Sequence, residues 1–135
     1  LEAAESGVML HRVAPAVDEG PVVTWCRFSL RGPELDPLWD LLPADPAERA
    51  DVIARERALK PESAHPLFRA LRAAGYAREL PLILETVRAV GEDRLRLTAE
   101  GVEDAFGKAL PEGLDLSAAV EERVGARRAT GSSSP

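Results

Sequence analysis

Near the start of the chain the apolar positions form two short runs, Val8–Met9–Leu10 and Val22–Val23–Thr24–Trp25–Cys26–Arg27–Phe28. Val, Trp and Phe favour pleated backbone. The piece between the runs holds Pro15, Asp18, Gly20 and Pro21, so the pattern predicts strand, irregular loop, strand. Residues 32–47 carry four prolines and read as a surface connection, with Trp39, Leu41 and Leu42 pinning it to a core. From there to about residue 90 the period becomes helical. Pro46, Ala47 and Glu48 suit a helix start, because proline is tolerated in a first turn. Val52, Ile53, Ala54, Ala58 and Leu59 follow at helical spacing, and Pro61 must break or kink that helix. A second helix is expected from Pro66, with Leu67, Phe68, Ala70 and Leu71 on one face and a stop at Gly75. A third, from about Glu79, should bury Leu82, Ile83, Val87 and Val90 before stopping at Gly91. Arg94 to Thr98 alternates as a half-exposed strand does. An amphipathic stretch runs from Asp115 to about Val124, and the Ser/Gly-rich tail from Ala129 to Pro135 is expected to be disordered.

This order gives an α/β fold class with two or three strands and about three helices. So few strands make a poor central sheet, and the chain is expected to lack the rest of one. It opens on Leu1, with no methionine, which suits processing or the C-terminal part of a longer protein. At 135 residues, 45% apolar and 30% charged, it has the make-up of one globular domain or a large piece of one. No apolar run approaches a membrane span and no signal segment is evident, so no membrane partner is expected and the cytoplasm is the default compartment. The formal charge of −6 argues against nucleic acid as a partner, since counterion release needs a basic surface. One cysteine, Cys26, allows neither an internal disulfide nor a thiolate zinc cluster. His11, His65 and Cys26 match no short metal-ligand spacing, so no metal is expected. Trp25 and Trp39 read as core residues, and the mixed charges of residues 48–57 as a solvated helix face.

The stretch that can carry chemistry is Gly7-Val8-Met9-Leu10-His11-Arg12-Val13-Ala14-Pro15-Ala16-Val17-Asp18-Glu19-Gly20-Pro21-Val22-Val23. His11 ends an apolar strand, and Asp18 follows seven residues later in a loop stiffened by Pro15, Gly20 and Pro21. A carboxylate on an otherwise apolar loop suits a desolvated acid or base. Asp and Gly equally populate plain turns, and His11 equally suits a surface strand. The residues by themselves leave both readings open.

This block, Gly-x-x-x-His-x-Val-x-x-x-x-Asp-x-Gly-Pro-Val-Val, resembles the second half of the folate-dependent formyltransferase family, in particular its phosphoribosylglycinamide formyltransferase branch. Glu56-Arg57-Ala58-Leu59-Lys60-Pro61 looks like the family's Glu-x-x-x-x-Pro. The helix ending at Gly91 with the strand after it resembles the family's closing unit. The resemblance covers residues 1–97 as the C-terminal part of a formyltransferase-like, Rossmann-like domain. It leaves 98–128 as a partly helical extension and 129–135 as a tail.

What the resemblance implies is formyl transfer from 10-formyltetrahydrofolate, as co-substrate, to a primary amine. Glycinamide ribonucleotide in purine synthesis is the first expectation for that amine, and an amino sugar the alternative. Asp18 and His11 would be catalytic. Ala14, Pro15, Ala16, Val17, Asp18, Glu19 and Gly20 would line the folate site, and Glu56 would contact the amine, with Glu79 competing for that role. The family's Asn-x-His motif and phosphate loop do not occur here, and the chain contains no asparagine. The chain alone is therefore expected to be inactive, with the missing N-terminal half of the domain as its partner. Another class remains open, a non-catalytic helical interaction module. Homo-oligomerisation through an unpaired sheet edge also fits.

Overall fold

Strand β1 (Glu5–His11) and strand β2 (Val22–Ser29) form where the two apolar runs place them. The computed structural model describes the backbone at residues 5–11, 20–59, 62, 64–99 and 101–132, and the side chains among them up to Arg127. In this region the chain is mixed α/β, with five short strands in two sheets and four helices, more elements than the sequence reading expected. No helix among the described residues is long and apolar enough to cross a membrane. The chain divides into two compact units, residues 1–6 with 29–76 and residues 7–28 with 77–135.

In the first unit the proline-rich connection is more ordered than its composition suggests. It contains a single-turn helix α1 (Asp36–Trp39), and Trp39 is buried with its indole N–H donating to the Leu30 carbonyl at 2.7 Å. The Arg31 guanidinium lies 4.6 Å from the centre of the Trp39 ring, a cation–π distance. Leu42 is buried beside this anchor in sequence, but Leu41 faces water, because in so short a turn adjacent residues cannot share a face. Helix α2 (Pro46–Leu59) starts as expected, and Asp45 supplies its cap. The Ala47 and Glu48 N–H groups donate to Asp45 Oδ2 at 3.1 and 3.0 Å, satisfying two donors that the helix leaves open.

Helix α3 runs unbroken from Pro66 to Gly91, where two helices were expected. Gly75 does not stop it, and Pro81 sits fully buried inside it. A mid-helix proline forfeits a backbone bond and crowds the preceding turn, at about 3 kcal/mol. Burial of Pro81 and Leu82 offsets that cost. The boundary between the two units falls at Tyr76 and Ala77, between this glycine and this proline. The helix ends where the sequence placed its end, by a different device. Gly91 is still helical; Asp93 takes the left-handed conformation, at φ 61°. The Asp93 N–H donates to the Val90 carbonyl and the Arg94 N–H to the Ala89 carbonyl, the paired bonds of a Schellman stop. Two bonds from Arg96 hold the Asp93 carboxyl below the usual carboxylate range.

The second unit holds the main core. Strand β5 (Leu114–Asp115) pairs parallel with β2, placing Thr24 beside Leu114, and the strand order is β1-β2-β5. Helix α4 (Ser117–Ser132) follows directly, longer than the Asp115–Val124 stretch the pattern suggested. It carries the backbone through Ala129–Ser132, where a disordered tail was expected; Ser133, Ser134 and Pro135 lie outside the described residues. Cys26, Leu82, Leu116, Val120 and Val124 pack together as one buried cluster. Residues expected to form an extension therefore supply much of the core. Burial pushes the Cys26 thiol above its ordinary pKa, against a smaller opposing effect from a backbone bond to Val8. A second cluster joins Val23, Ala89, Leu95 and Val102, beneath the antiparallel pair β3 (Leu95–Leu97) and β4 (Val102–Asp104).

Candidate functional site

The two strands that bracket the Asp18 segment lie side by side in the sheet. Gly7 on β1 comes so close to β2 that an added Cβ would sit 2.9 Å from the Cys26 carbonyl oxygen. The segment leaves β1 at His11 and returns through Gly20, which is buried. His11 Nδ1 lies 3.0 Å from the Gly20 carbonyl oxygen. A carbonyl oxygen only accepts, so Nδ1 must carry the ring proton and donate it. In the neutral ring Nε2 then keeps its lone pair and can take a proton or orient a water. The same bond ties the two mouths of the 12–19 segment together. His11 thereby sits where the sequence placed it, at the end of its strand. Ala14, Pro15, Ala16, Val17, Asp18 and Glu19 lie outside the described residues.

Replacing His11 with alanine leaves a buried carbonyl without its donor. The expected loss is about 1–2 kcal/mol of unfolding free energy, read by urea denaturation. His11→Asn, whose amide can reach the same carbonyl, should recover most of it. Alanine and asparagine variants as stable as the native chain would show that the bond ties nothing together.

Glu56 lies in the first unit, buried on α2. Its Oε2 accepts from the His65 backbone N–H at 3.4 Å, and the His65 ring Nδ1 accepts from the Leu67 N–H at 3.1 Å. These bonds satisfy donors at the start of α3, so the carboxylate has a structural task there. Glu79 is exposed on α3. Trp25 is half-buried on β2 and Trp39 is a core anchor.

Below β2 in the second unit lies a polar network that the sequence reading missed. Arg78 is buried under the Phe28 ring, 4.4 Å from its centre, and donates to both carboxylate oxygens of Glu121 at 2.6 and 3.1 Å. Two turns further along α3, Glu85 is buried and bonded to Arg123, with Arg88 at 3.9 Å. Thr86 donates to the Leu82 carbonyl, so the 2.7 Å contact between the Thr24 and Thr86 hydroxyls must have Thr24 as donor. Arg78, Glu85 and Thr24 each find a polar partner within this network, which keeps the cost of burying charge moderate. The only signal in the sequence was Arg78, Leu82, Glu85 and Ala89 falling on one helical face, where charge is not expected.

An open cleft of about 510 Å³ borders Pro21, lined also by Thr98, Val102, Glu103, Leu110 and Pro111. Among the described residues no three His, Cys, Asp or Glu side chains gather as a metal cluster. No protein-family model, no characterised relative and no solved structure matches the chain.

Proposed function

We propose that this chain carries the folate loop of a formyltransferase and forms the C-terminal portion of its Rossmann-like fold. The reaction is formyl transfer from 10-formyltetrahydrofolate to a primary amine, with glycinamide ribonucleotide as the acceptor. In that reaction the amine nitrogen attacks the formyl carbon, a tetrahedral oxyanion forms, and the carbon–N10 bond breaks as the proton lost by the amine is delivered to N10. The chemistry needs an oxyanion donor and an acid–base relay. Asp18 fits the relay, ordering a water and setting the protonation of a partner histidine. The backbone of Ala14 to Gly20 fits the lining of a pteridine pocket. His11, with Nδ1 engaged by Gly20, is a positioning residue with a free lone pair for that water. An asparagine as oxyanion donor is not among these 135 residues, and this reading takes it from the N-terminal half of the domain.

The observation that supports the reading best is the His11–Gly20 bond. It brings together the two described residues, His11 and Gly20, that flank the eight-residue segment carrying Asp18. A second reading, a non-catalytic interaction module, draws on the apolar outer face of α3.

Calorimetric titration with a 10-formyltetrahydrofolate analogue separates the two. The native chain should bind, and Asp18→Ala should bind at least about tenfold more weakly, the loss of a charge-assisted bond. A chain that is folded by circular dichroism and takes up no folate would discard the formyltransferase reading in favour of the module.

A further inference from the structure

We propose that the cleft beside Pro21 binds a small organic ammonium, a primary amine in its charged form on an apolar body, with Glu103 as its counter-charge. At about 510 Å³ the cleft falls in the size range of small-molecule sites. Its lining residues all belong to the second unit. Pro21, Val102, Leu110 and Pro111 make its walls apolar, and among the described residues that line it Glu103 alone carries a charge.

Three local arrangements fix those walls. The Leu110 N–H donates to the Val102 carbonyl at 2.9 Å, tying the segment after Ala109 to β4. The Gly113 N–H donates to the Leu110 carbonyl at 3.0 Å, and Gly113 itself lies against the Val22 and Val23 carbonyls, next to Pro21. On the other side the Thr98 N–H donates to the Gly101 carbonyl at 2.9 Å, and the Gly101 N–H to Thr98 Oγ1 at 3.0 Å. Walls already held in place cost a ligand little affinity for their ordering.

Glu103 sets the charge of the ligand. It is half-buried on β4, and among the described residues no hydrogen bond or ion pair engages its carboxylate. Arg96, the cation opposite it in the β3–β4 ladder, is committed to Asp93 by bonds of 2.8 and 2.6 Å. An ammonium supplies the missing donor, and its apolar body covers the neighbouring side chains. A metal ion fits poorly: one carboxylate is too few ligands, and no acid, His or Cys cluster stands among the described residues. An anion would meet Glu103 inside the cleft and a formal charge of −6 on the chain around it. The site makes no use of the 12–19 segment and stands independently of the folate reading.

Titration of the full chain with phenethylammonium, followed by amide NMR shifts, tests this. Val102, Glu103 and Leu110 should show saturable shifts, with a dissociation constant on the order of 1 mM, usual for so small a ligand. Phenethyl alcohol, the same body without the charge, should bind the native chain at least about fivefold more weakly. Glu103→Gln should weaken the ammonium by a similar factor, about fivefold, the loss of a charge-assisted bond at a half-exposed position. Glu112→Gln, exposed and just past Pro111, changes the net charge equally and should bind as the native chain does. The alcohol comparison uses the native chain, so the test does not depend on a variant folding. No saturable shift at concentrations well above that constant would overturn the inference. Equal binding of ammonium and alcohol overturns it too, as does undiminished binding by Glu103→Gln.

Discussion

Leu82→Ala should cost the protein about 3 kcal/mol of unfolding free energy, within the range for a fully enclosed leucine. Leu82 is completely buried on α3 and packs with Cys26, Leu116, Val120 and Val124. Truncation removes its transfer free energy and leaves a cavity that these neighbours cannot fill. Leu116 joins β5 to α4, Val120 and Val124 belong to α4, and β5 is fixed by its pairing with β2. Leu116 is further held by its N–H donating to the Trp25 carbonyl at 2.8 Å. The site therefore relaxes little, and the cavity contribution stays near its full value. Phe106→Ala removes more carbon from a side chain that is 95% exposed, and should change stability by less than about 0.5 kcal/mol. Guanidinium denaturation of both variants, at one protein concentration, makes the comparison. Similar losses at the two positions would mean that α3 and α4 do not meet around Leu82.

Gly113→Ala is expected to be at least as damaging, for a backbone reason. Gly113 has φ +80° and immediately precedes β5. A Cβ there would lie 2.9 Å from the carbonyl oxygens of both Val22 and Val23. Neither oxygen can retreat without moving β2, so relief comes at the expense of the β2–β5 pairing. The left-handed conformation costs an alanine about 1–2 kcal/mol, and the overlap adds roughly 1–3 kcal/mol more. Gly107→Ala separates the two contributions. Gly107 has nearly the same backbone angle, φ +78°, but open space where its Cβ would go. It should show the conformational cost alone, about 1–2 kcal/mol. Equal losses at the two glycines would show that the close approach to β2 has no energetic weight.

Both variants probe the part of the chain that looked least informative in the sequence. Residues 98–128 resemble nothing in the formyltransferase pattern, yet they supply β5 and the buried side of α4. β5 is only two residues long and leaves no pattern of its own, whereas the amphipathic stretch from Asp115 to about Val124 already marked the face that buries Leu116, Val120 and Val124. What stayed hidden was that this face packs against Cys26 and Leu82, far away in the sequence. The candidate site was more legible. His11 and Gly20 were singled out by a strand end and a turn residue, and a hydrogen bond joins them. Asp18 was singled out on the same grounds and lies outside the described residues. The Arg78–Glu121 and Glu85–Arg123 pairs were not legible, because each joins residues about forty positions apart and depends on two helices meeting.

The sequence alone determined the elements whose cause is local. β1 and β2 form where β-favouring side chains run, and β2 begins directly after Pro21, which has no N–H for a ladder. α2 begins at Pro46 because Asp45 can cap it and a proline fits its first turn. Only the tertiary structure decided what α3 would be. Propensity alone breaks it at Gly75 and Pro81 and turns its aliphatic side inward. Packing keeps it continuous, buries Pro81 with Leu82, and turns Arg78 and Glu85 inward to partners on α4. A local penalty of a few kcal/mol is small beside the burial and pairing a whole helix gains, and those gains exist only once distant residues are in place.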